Sequence, residues 1–181
     1  ILHRNPESES LSVLDSGSVV IDGDELRINV QYSLGASCYI IYEDPAQNIM
    51  MLFNSNSKKP KGKDANFHTT GWLSFSPPPG SETIYLILSK LPLGIIEKVV
   101  ADLENSSGGR AKKFYRRFAS EIDKLISPEK KHAVLAARLD KPVVGGVSFR
   151  GDDEDKINAF SLTHEVKSTE VIIKKITLEH Q

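Results

Sequence analysis

The chain has 181 residues, enough for one domain with its own core, and no apolar run approaches the roughly 20 residues that cross a bilayer. Its 23 basic and 24 acidic residues leave a formal net charge of −1, so no overall positive field would draw the protein to nucleic acid. The single cysteine, Cys38, excludes an internal disulfide and any metal site built from several thiolates.

The opening segment, residues 1–12, is polar and aperiodic, which predicts a tail or linker ahead of a single domain spanning 13–181. Because the first residue is Ile1 and not Met, we expect the chain to begin inside a longer product or after a processing site. Apolar residues 19–21 followed by Asp22-Gly23-Asp24 predict a short strand and a tight turn, since glycine tolerates the positive φ of such turns.

Five further segments of the first half predict strands. Strict alternation of apolar and polar residues from Leu26 to Tyr32 predicts a strand with one buried face. Two continuous apolar runs, 38–42 and 49–53, predict a hairpin buried on both faces. Residues 72–75, ended by three prolines, and residues 84–88 predict two more strands.

A helical pattern interrupts these strands between residues 94 and 140. Apolar residues at helical spacing predict one helix from Ile95 to Leu103 and a second from Phe114 to Ile126. Ser127 followed by Pro128 resembles a helix start and predicts a third helix that ends near Leu139.

Strand patterns return in residues 141–181, at 143–149, 160–166 and 171–178. These strands need partners, and the open edges of the strands in 13–93 are the simplest ones. The predicted fold class is therefore α+β: an antiparallel β-sandwich with a two- to three-helix excursion between its N-terminal and C-terminal strands. Open sheet edges also predict a homodimer formed by edge-to-edge pairing.

Motifs within residues 11–93 resemble a bacterial family, domain-of-unknown-function family 4384. The motifs are Gly23-Asp24 before the alternating strand, a tyrosine-bearing strand at 39–42, Leu52-Phe53-Asn54, and the segment 78–84 that leads into the last strand. The resemblance implies an all-β accessory module of a bacterial protein with an interaction role, in the cell envelope or periplasm more than in the cytoplasm. It implies no catalytic residue, cofactor or ligand.

Two basic clusters are candidate sites for phosphate, anionic lipid or an acidic partner. One lies in the loop after Phe53 and the other surrounds Phe114 and Tyr115. The alternative interpretation is ordinary solvated charge, which is common on helix surfaces. The candidate anion-binding residues are Lys58, Lys59, Lys61, Lys63, Arg110, Lys112, Lys113, Arg116 and Arg117.

The other chemically active residue types do not form a recognisable catalytic or metal motif. Cys38 begins an apolar run, which favours a structural role for a buried thiol. The acidic cluster 152–155 lacks the glycine and the terminal glutamate of a calcium loop, so we interpret it as a solvated hairpin tip. The five histidines are scattered singly, without zinc-site spacing, at His3, His68, His132, His164 and His180. We expect no metal and no cofactor.

The sequence thus predicts a non-enzymatic accessory module of a bacterial protein that mediates protein–protein contacts. The alternative is a binding module for an anionic polymer or lipid that uses the basic loop and helix. An enzyme is disfavoured because no nucleophile, base and orienting group can be assembled from motifs.

Overall fold

The described residues form an α+β structure in which β-strands predominate and two helices lie between strands. A computed structural model describes residues 1–7, 10–32, 35–57, 67–126, 134–138, 163–167 and 171–181. The strands are β1 (Leu2–Asn5), β2 (Ser10–Val13), β3 (Val19–Val20), β4 (Glu25–Arg27), β5 (Asn29–Gln31), β6 (Ser37–Glu43), β7 (Ile49–Asn54), β8 (Phe67–Thr69), β9 (Leu73–Ser74), β10 (Gly80–Ser89), β11 (Val134–Arg138), β12 (Thr163–Lys167) and β13 (Val171–His180). The helices are α1 (Gly94–Glu104) and α2 (Gly109–Ile126).

A central sheet has the strand order β3-β13-β10-β6-β7. β10 lies in its middle and pairs antiparallel with β13 along its whole length and with β6 from Thr83 to Ser89. β6 and β7 form the predicted hairpin, and β13 confirms the predicted strand at 171–178. β6 is buried on both faces over most of its length, as predicted, whereas the prediction is wrong for β7, because it lies at the sheet edge and leaves Met50 exposed.

The two faces of the central sheet contribute to two different apolar clusters. Tyr85 and Ile87 of β10 belong to one cluster and Ile84 to the other, because successive side chains of a strand point to opposite faces. The helix-side core contains Tyr39, Ile41, Ile49, Tyr85, Ile87, Ile96, Val99, Val100, Leu103, Phe118 and Ile122. The sheet-side core contains Leu14, Val20, Leu26, Ile28, Ile40, Phe75, Ile84, Ile176 and Leu178.

A second sheet, the outer sheet, has the order β2-β1-β4-β9 and includes the segment that we predicted to be a tail or linker. β1 and β2 pair with each other, and β1 also pairs with β4. Leu2 is buried, and the Arg4 guanidinium forms an ion pair with Glu25 on β4. The segment is therefore part of the fold. The sequence did not show these strands, because polar cross-strand pairs hold them and no regular alternation of apolar residues marks them.

The predicted strand from Leu26 to Tyr32 is divided between two sheets. β4 pairs with β1 and β9, whereas β5 pairs with β8. The change of partner occurs at Ile28, whose N–H donates to Thr70 Oγ1 at 2.9 Å and whose carbonyl oxygen accepts from Thr70 N–H at 3.0 Å. Leu26 and Ile28 still face the same core, so the alternation predicted the burial correctly but not the pairing.

The predicted third helix is wrong where the structure describes it, because residues Val134–Arg138 form β11. This strand pairs antiparallel with β12, which includes part of the strand predicted at 160–166. The helix was predicted from the local sequence Ser127-Pro128 alone, whereas pairing with a distant strand determines the conformation at 134–138. The predicted start of that helix and the predicted strand at 143–149 lie outside the described residues.

The edge of the central sheet at β7 is partly occupied by a helix side chain. Glu104, the last residue of α1, accepts a hydrogen bond from Met51 N–H through Oε1 at 2.9 Å. Edge strands attract other strands through their free N–H and C=O groups, so this contact makes one donor unavailable. The homodimer remains a prediction. Pairing of two copies through β7 is less favourable, because it would break the hydrogen bond between Met51 and Glu104.

We expect Gly80→Ala to destabilise the fold by about 1–3 kcal/mol, because the new side chain would meet both strain and a clash. Gly80 has φ of 146°, and a Cβ added there would lie 2.7 Å from Pro45 Cβ. Denaturant unfolding followed by the fluorescence of Trp72, the single tryptophan, measures the change. Gly71→Ala is the matched control, since nothing lies within 4 Å of its Cβ position. Equal loss in both variants would contradict the prediction.

Candidate functional site

α2 is an amphipathic helix whose apolar side packs against the central sheet. Phe118 and Ile122 are buried in the helix-side core, and Phe114 packs against it. Their spacing of four residues places them on one side of the helix. The hydroxyl of Tyr115 donates to Glu43 Oε1 at 2.7 Å, which fixes the helix to β6. This packing determines which side of α2 faces solvent.

Five of the nine predicted anion-binding residues lie together on α2, and all five are exposed. We call this surface the basic face; it consists of Arg110, Lys112, Lys113, Arg116 and Arg117. Within the described ranges, no acidic side chain forms an ion pair with any of them. The structure therefore brings the helical cluster together as a solvent-facing positive surface.

The position of the basic face is unfavourable for the helix itself. The cations occupy the N-terminal half of α2, where the helix dipole is already positive, and the first turn contains no acidic residue. Lys112 and Arg116 are four residues apart, a spacing at which like charges destabilise a helix by about 0.2–0.5 kcal/mol. Lys124 at the other end does have a partner, Glu121, at 2.7 Å. Helix stability thus does not account for the cluster.

A groove with a volume of about 520 Å³ lies between α1 and α2, next to the basic face. We call it the α1–α2 groove. Asn105 Nδ2 donates to the carbonyl oxygen of Ala101 at 2.7 Å, and Ser106 Oγ donates to the carbonyl oxygen of Asp102, so the end of α1 is held by its own side chains. The groove wall includes Asp102, Asn105, Ser106, Arg110, Lys113 and Phe114.

The other predicted cluster, Lys58, Lys59, Lys61 and Lys63, lies outside the described residues, as does the acidic cluster 152–155. The described chain just before the lysines is anchored to α1. Asn56 Nδ2 donates to Glu97 Oε1 at 2.9 Å and to the hydroxyl oxygen of Tyr39 at 2.8 Å. That hydroxyl also accepts from Leu93 N–H at 2.7 Å, at the start of α1. The structure does not test whether the two basic clusters act together.

Cys38 is buried in the central sheet, in agreement with the structural role that we predicted for it. Desolvation raises the pKa of the thiol to about 12. The reactive form of a cysteine is the thiolate, which needs a lowered pKa and an electropositive surrounding. The Cys38 thiol is therefore a poor nucleophile at neutral pH.

A cluster of polar side chains around the buried Glu82 and His180, not predicted from the sequence, connects the first part of the chain to the last strand. Glu82 Oε1 lies 2.9 Å from His180 Nδ1, and Asp22 Oδ1 lies 2.8 Å from His180 Nε2. The hydroxyl of Tyr42 donates to the other oxygen of Glu82. Desolvation and the neighbouring Glu82 raise the pKa of the Tyr42 phenol. Glu82 and His180 come from the paired strands β10 and β13, so only the strand register could have revealed the cluster.

A second histidine lies between a serine and an aspartate on the outer sheet. His3 Nδ1 is 3.0 Å from Ser12 Oγ, and His3 Nε2 is 2.8 Å from Asp24 Oδ2. His3 and Ser12 are direct cross-strand neighbours in the β1–β2 pair, which accounts for their contact. Ser12 borders neither the α1–α2 groove nor the smaller cavity of about 160 Å³ between Leu26 and Phe75. A serine hydrolase site needs a substrate pocket and oxyanion donors as well.

In the described part of the chain, no group of three His, Cys, Asp or Glu side chains is arranged to hold a metal ion. Neither of the two described helices has the length and apolar character needed to cross a membrane.

No family model, curated protein or solved structure matches this chain. The resemblance to family 4384 accordingly stays a prediction.

We expect His180→Ala to lower the free energy of unfolding by about 3–5 kcal/mol, because it removes the histidine partner of the buried Glu82 carboxylate and leaves only the Tyr42 hydroxyl bound to it. Adding Glu82→Gln to this variant should restore part of the loss, since a neutral amide is less costly to bury than an unpaired charge. Denaturant unfolding of both single variants and the double variant measures the coupling. Strictly additive losses would show that the two side chains do not stabilise each other.

We expect the fold to lose stability in alkali, because burial raises the pKa of all five tyrosines. A folded pKa above the unfolded value of about 10 favours the neutral phenol, so this stabilisation is complete below about pH 10 and decreases as the pH rises. Desolvation and the carboxylate of Glu43 raise the pKa of Tyr115 to about 12. The stabilisation from the neutral Tyr115 phenol should therefore be lost between about pH 10 and about pH 12.

Tyrosinate absorbance and circular dichroism across this pH range measure both events. Glu43→Gln should move tyrosinate formation to lower pH, because Glu43 accepts hydrogen bonds from Tyr85 and Tyr115, both at 2.7 Å. Glu121→Gln on the same helix layer is the control and should leave the titration unchanged. Tyrosinate formation near the ordinary pKa in the folded protein would contradict the prediction.

Proposed function

We propose that this protein is a non-enzymatic interaction module that binds an acidic segment of a protein partner through the basic face of α2 and the adjoining α1–α2 groove. The observation that carries the proposal is a set of five exposed cations without an ion-pair partner among the described residues. Such a surface attracts an oppositely charged partner and increases the rate of encounter.

The character of the groove favours a protein over a simple polyanion. Phe114 supplies an apolar surface and Asp102 supplies a carboxylate beside the cations. A polyanion gains from cations alone, whereas a peptide brings apolar side chains, donors and acceptors together. Arginine is also enriched in protein–protein contacts, because its planar guanidinium can bind a carboxylate through two hydrogen bonds.

An anionic polymer or lipid surface is the second candidate, favoured by the same five cations. Phe118 and Ile122, on the apolar side of α2, are buried in the helix-side core, so they are not available to insert into a bilayer. Contact with a membrane would therefore be electrostatic, and it would decrease steeply with salt.

The finer features of the fold belong to the same proposal. We infer that the central and outer sheets form a β-sandwich with the helices as an excursion on its other side, supported by the sheet-side core that both sheets share. We also infer a bacterial accessory domain related to family 4384 in residues 11–93, supported by the motifs given above. With the family resemblance we also propose a cell-envelope or periplasmic location, and with the open sheet edges a homodimer.

The test compares capture of protein partners by the wild-type chain and by a variant with all five residues of the basic face changed to glutamine. We expect the variant to lose the captured partner, because every charge that attracts it is removed. A variant with Lys90→Gln and Lys98→Gln, two exposed lysines outside the basic face, is the control and should retain the partner. Retention on heparin and on anionic vesicles, measured beside protein capture, separates the two candidates, because exposed charges are screened by salt whichever partner they bind.

Retention by heparin or anionic vesicles that salt abolishes, without capture of any protein, would favour the second candidate. Equal capture by the wild-type chain and the five-residue variant would contradict both. Covalent labelling of Ser12 by a fluorophosphonate would contradict the non-enzymatic part of the proposal, because it would show that His3 activates that hydroxyl.

A further inference from the structure

We infer that the α1–α2 groove is a selective site for a single carboxylate carried next to an apolar side chain, as in a Glu-Leu step of a peptide. The inference rests on the proposed function and adds which part of the basic face recognises the partner and by what chemistry. It assigns recognition to the groove and long-range attraction to the open part of the face.

The charges in the groove wall match one negative charge. The wall contains two cations, Arg110 and Lys113, and one carboxylate, Asp102, which leaves a net charge of +1. The carboxylate of Asp102 repels every negative charge on a ligand, so it opposes a phosphate dianion or a sulfated sugar more strongly than a single carboxylate. Such densely charged groups gain more from Lys112, Arg116 and Arg117, which are exposed outside the groove wall. Specificity commonly comes from such a repulsive element beside an attractive one.

The donors of the groove favour a carboxylate in particular. Arg110 and Lys113 are three residues apart on α2 and therefore lie on the same side of the helix. An arginine guanidinium binds a planar carboxylate through two parallel hydrogen bonds, and a lysine ammonium adds a third donor. Neither residue has an ion-pair partner among the described residues, so these donors are available to a ligand.

The groove also has the size and the apolar wall that a neighbouring side chain needs. Its volume of about 520 Å³ falls within the range of ordinary ligand sites. Phe114 forms part of the wall and packs against the helix-side core, so the aromatic surface is held in place. Asn105 and Ser106 each bond a carbonyl oxygen of α1, which keeps the mouth of the groove ordered without a ligand. A preformed site loses less entropy on binding.

The experiment follows amide NMR signals of the full chain during titration with two blocked peptides, Gly-Glu-Leu-Gly and Gly-Gln-Leu-Gly. We expect the glutamate peptide to shift the signals of Asn105, Ser106 and Phe114, and the glutamine peptide to leave them unchanged. Arg110→Gln with Lys113→Gln should weaken binding at least about tenfold, since hydrogen bonds to charged groups contribute about 1.5–3 kcal/mol. Lys112→Gln with Arg116→Gln removes the same charge outside the groove and should weaken it less than about threefold.

Inorganic phosphate and heparin form the other two arms of the titration. Three results would overturn the inference: equal shifts with both peptides, shifts at the groove with phosphate or heparin but not with the glutamate peptide, or no shift with any probe. Equal weakening in the two double variants would also overturn it, because the net charge of the face and not the groove would then determine affinity. These outcomes leave the proposed function standing if the five-residue variant still loses its partner. Circular dichroism of each variant is the control for folding, and we expect the exposed substitutions to leave the spectrum unchanged.

Discussion

The antiparallel pairing of β10 with β13 is the interaction on which the remaining structure depends. β10 lies in the middle of the central sheet, and its two faces supply side chains to both apolar cores. Residues from the C-terminal end, Ile176 and Leu178, reach the sheet-side core through this pairing. Without β13, the edge of β10 would be open and the sheet-side core would lose two fully enclosed residues. The helices that carry the basic face pack on the opposite face of the same sheet.

The same pairing explains why a buried charge cluster exists at one end of the sheet. Glu82 and His180 are buried on adjacent strands, where an isolated charge would be costly and a matched pair is tolerated. Asp22, on a turn near the beginning of the chain, contacts the other nitrogen of His180. The cluster thus ties the first part of the chain to the last strand.

On α2, by contrast, the cations of the basic face are exposed to solvent. Among the described residues, the buried side chains of Asp24, Glu82 and His180 have partners, whereas the exposed cations of the basic face form no ion pair. Two of them, Arg110 and Lys112, also lie in the first turn of α2, where the helix dipole disfavours a cation. A surface that is unfavourable for its own helix and lies beside a groove is the strongest structural argument for binding. That argument could not be made from composition, since the whole chain is nearly neutral.

Periodicity in the sequence was enough to locate the strands that carry the core, both described helices and the basic residues of α2. Hydrophobic spacing reports which side chains are buried, and this is a property of each segment by itself. It also placed Leu26 and Ile28 on one face, although their strand is divided between two sheets. Partner choice remained invisible: the strands in residues 1–12, β11 in place of a helix, and the His180 cluster all depend on distant backbone groups. Tertiary structure alone decided these pairings, because the residues of a strand do not specify which neighbouring strand completes its hydrogen bonds. The groove beside Arg110 and Lys113 likewise exists only because α1 and α2 pack together.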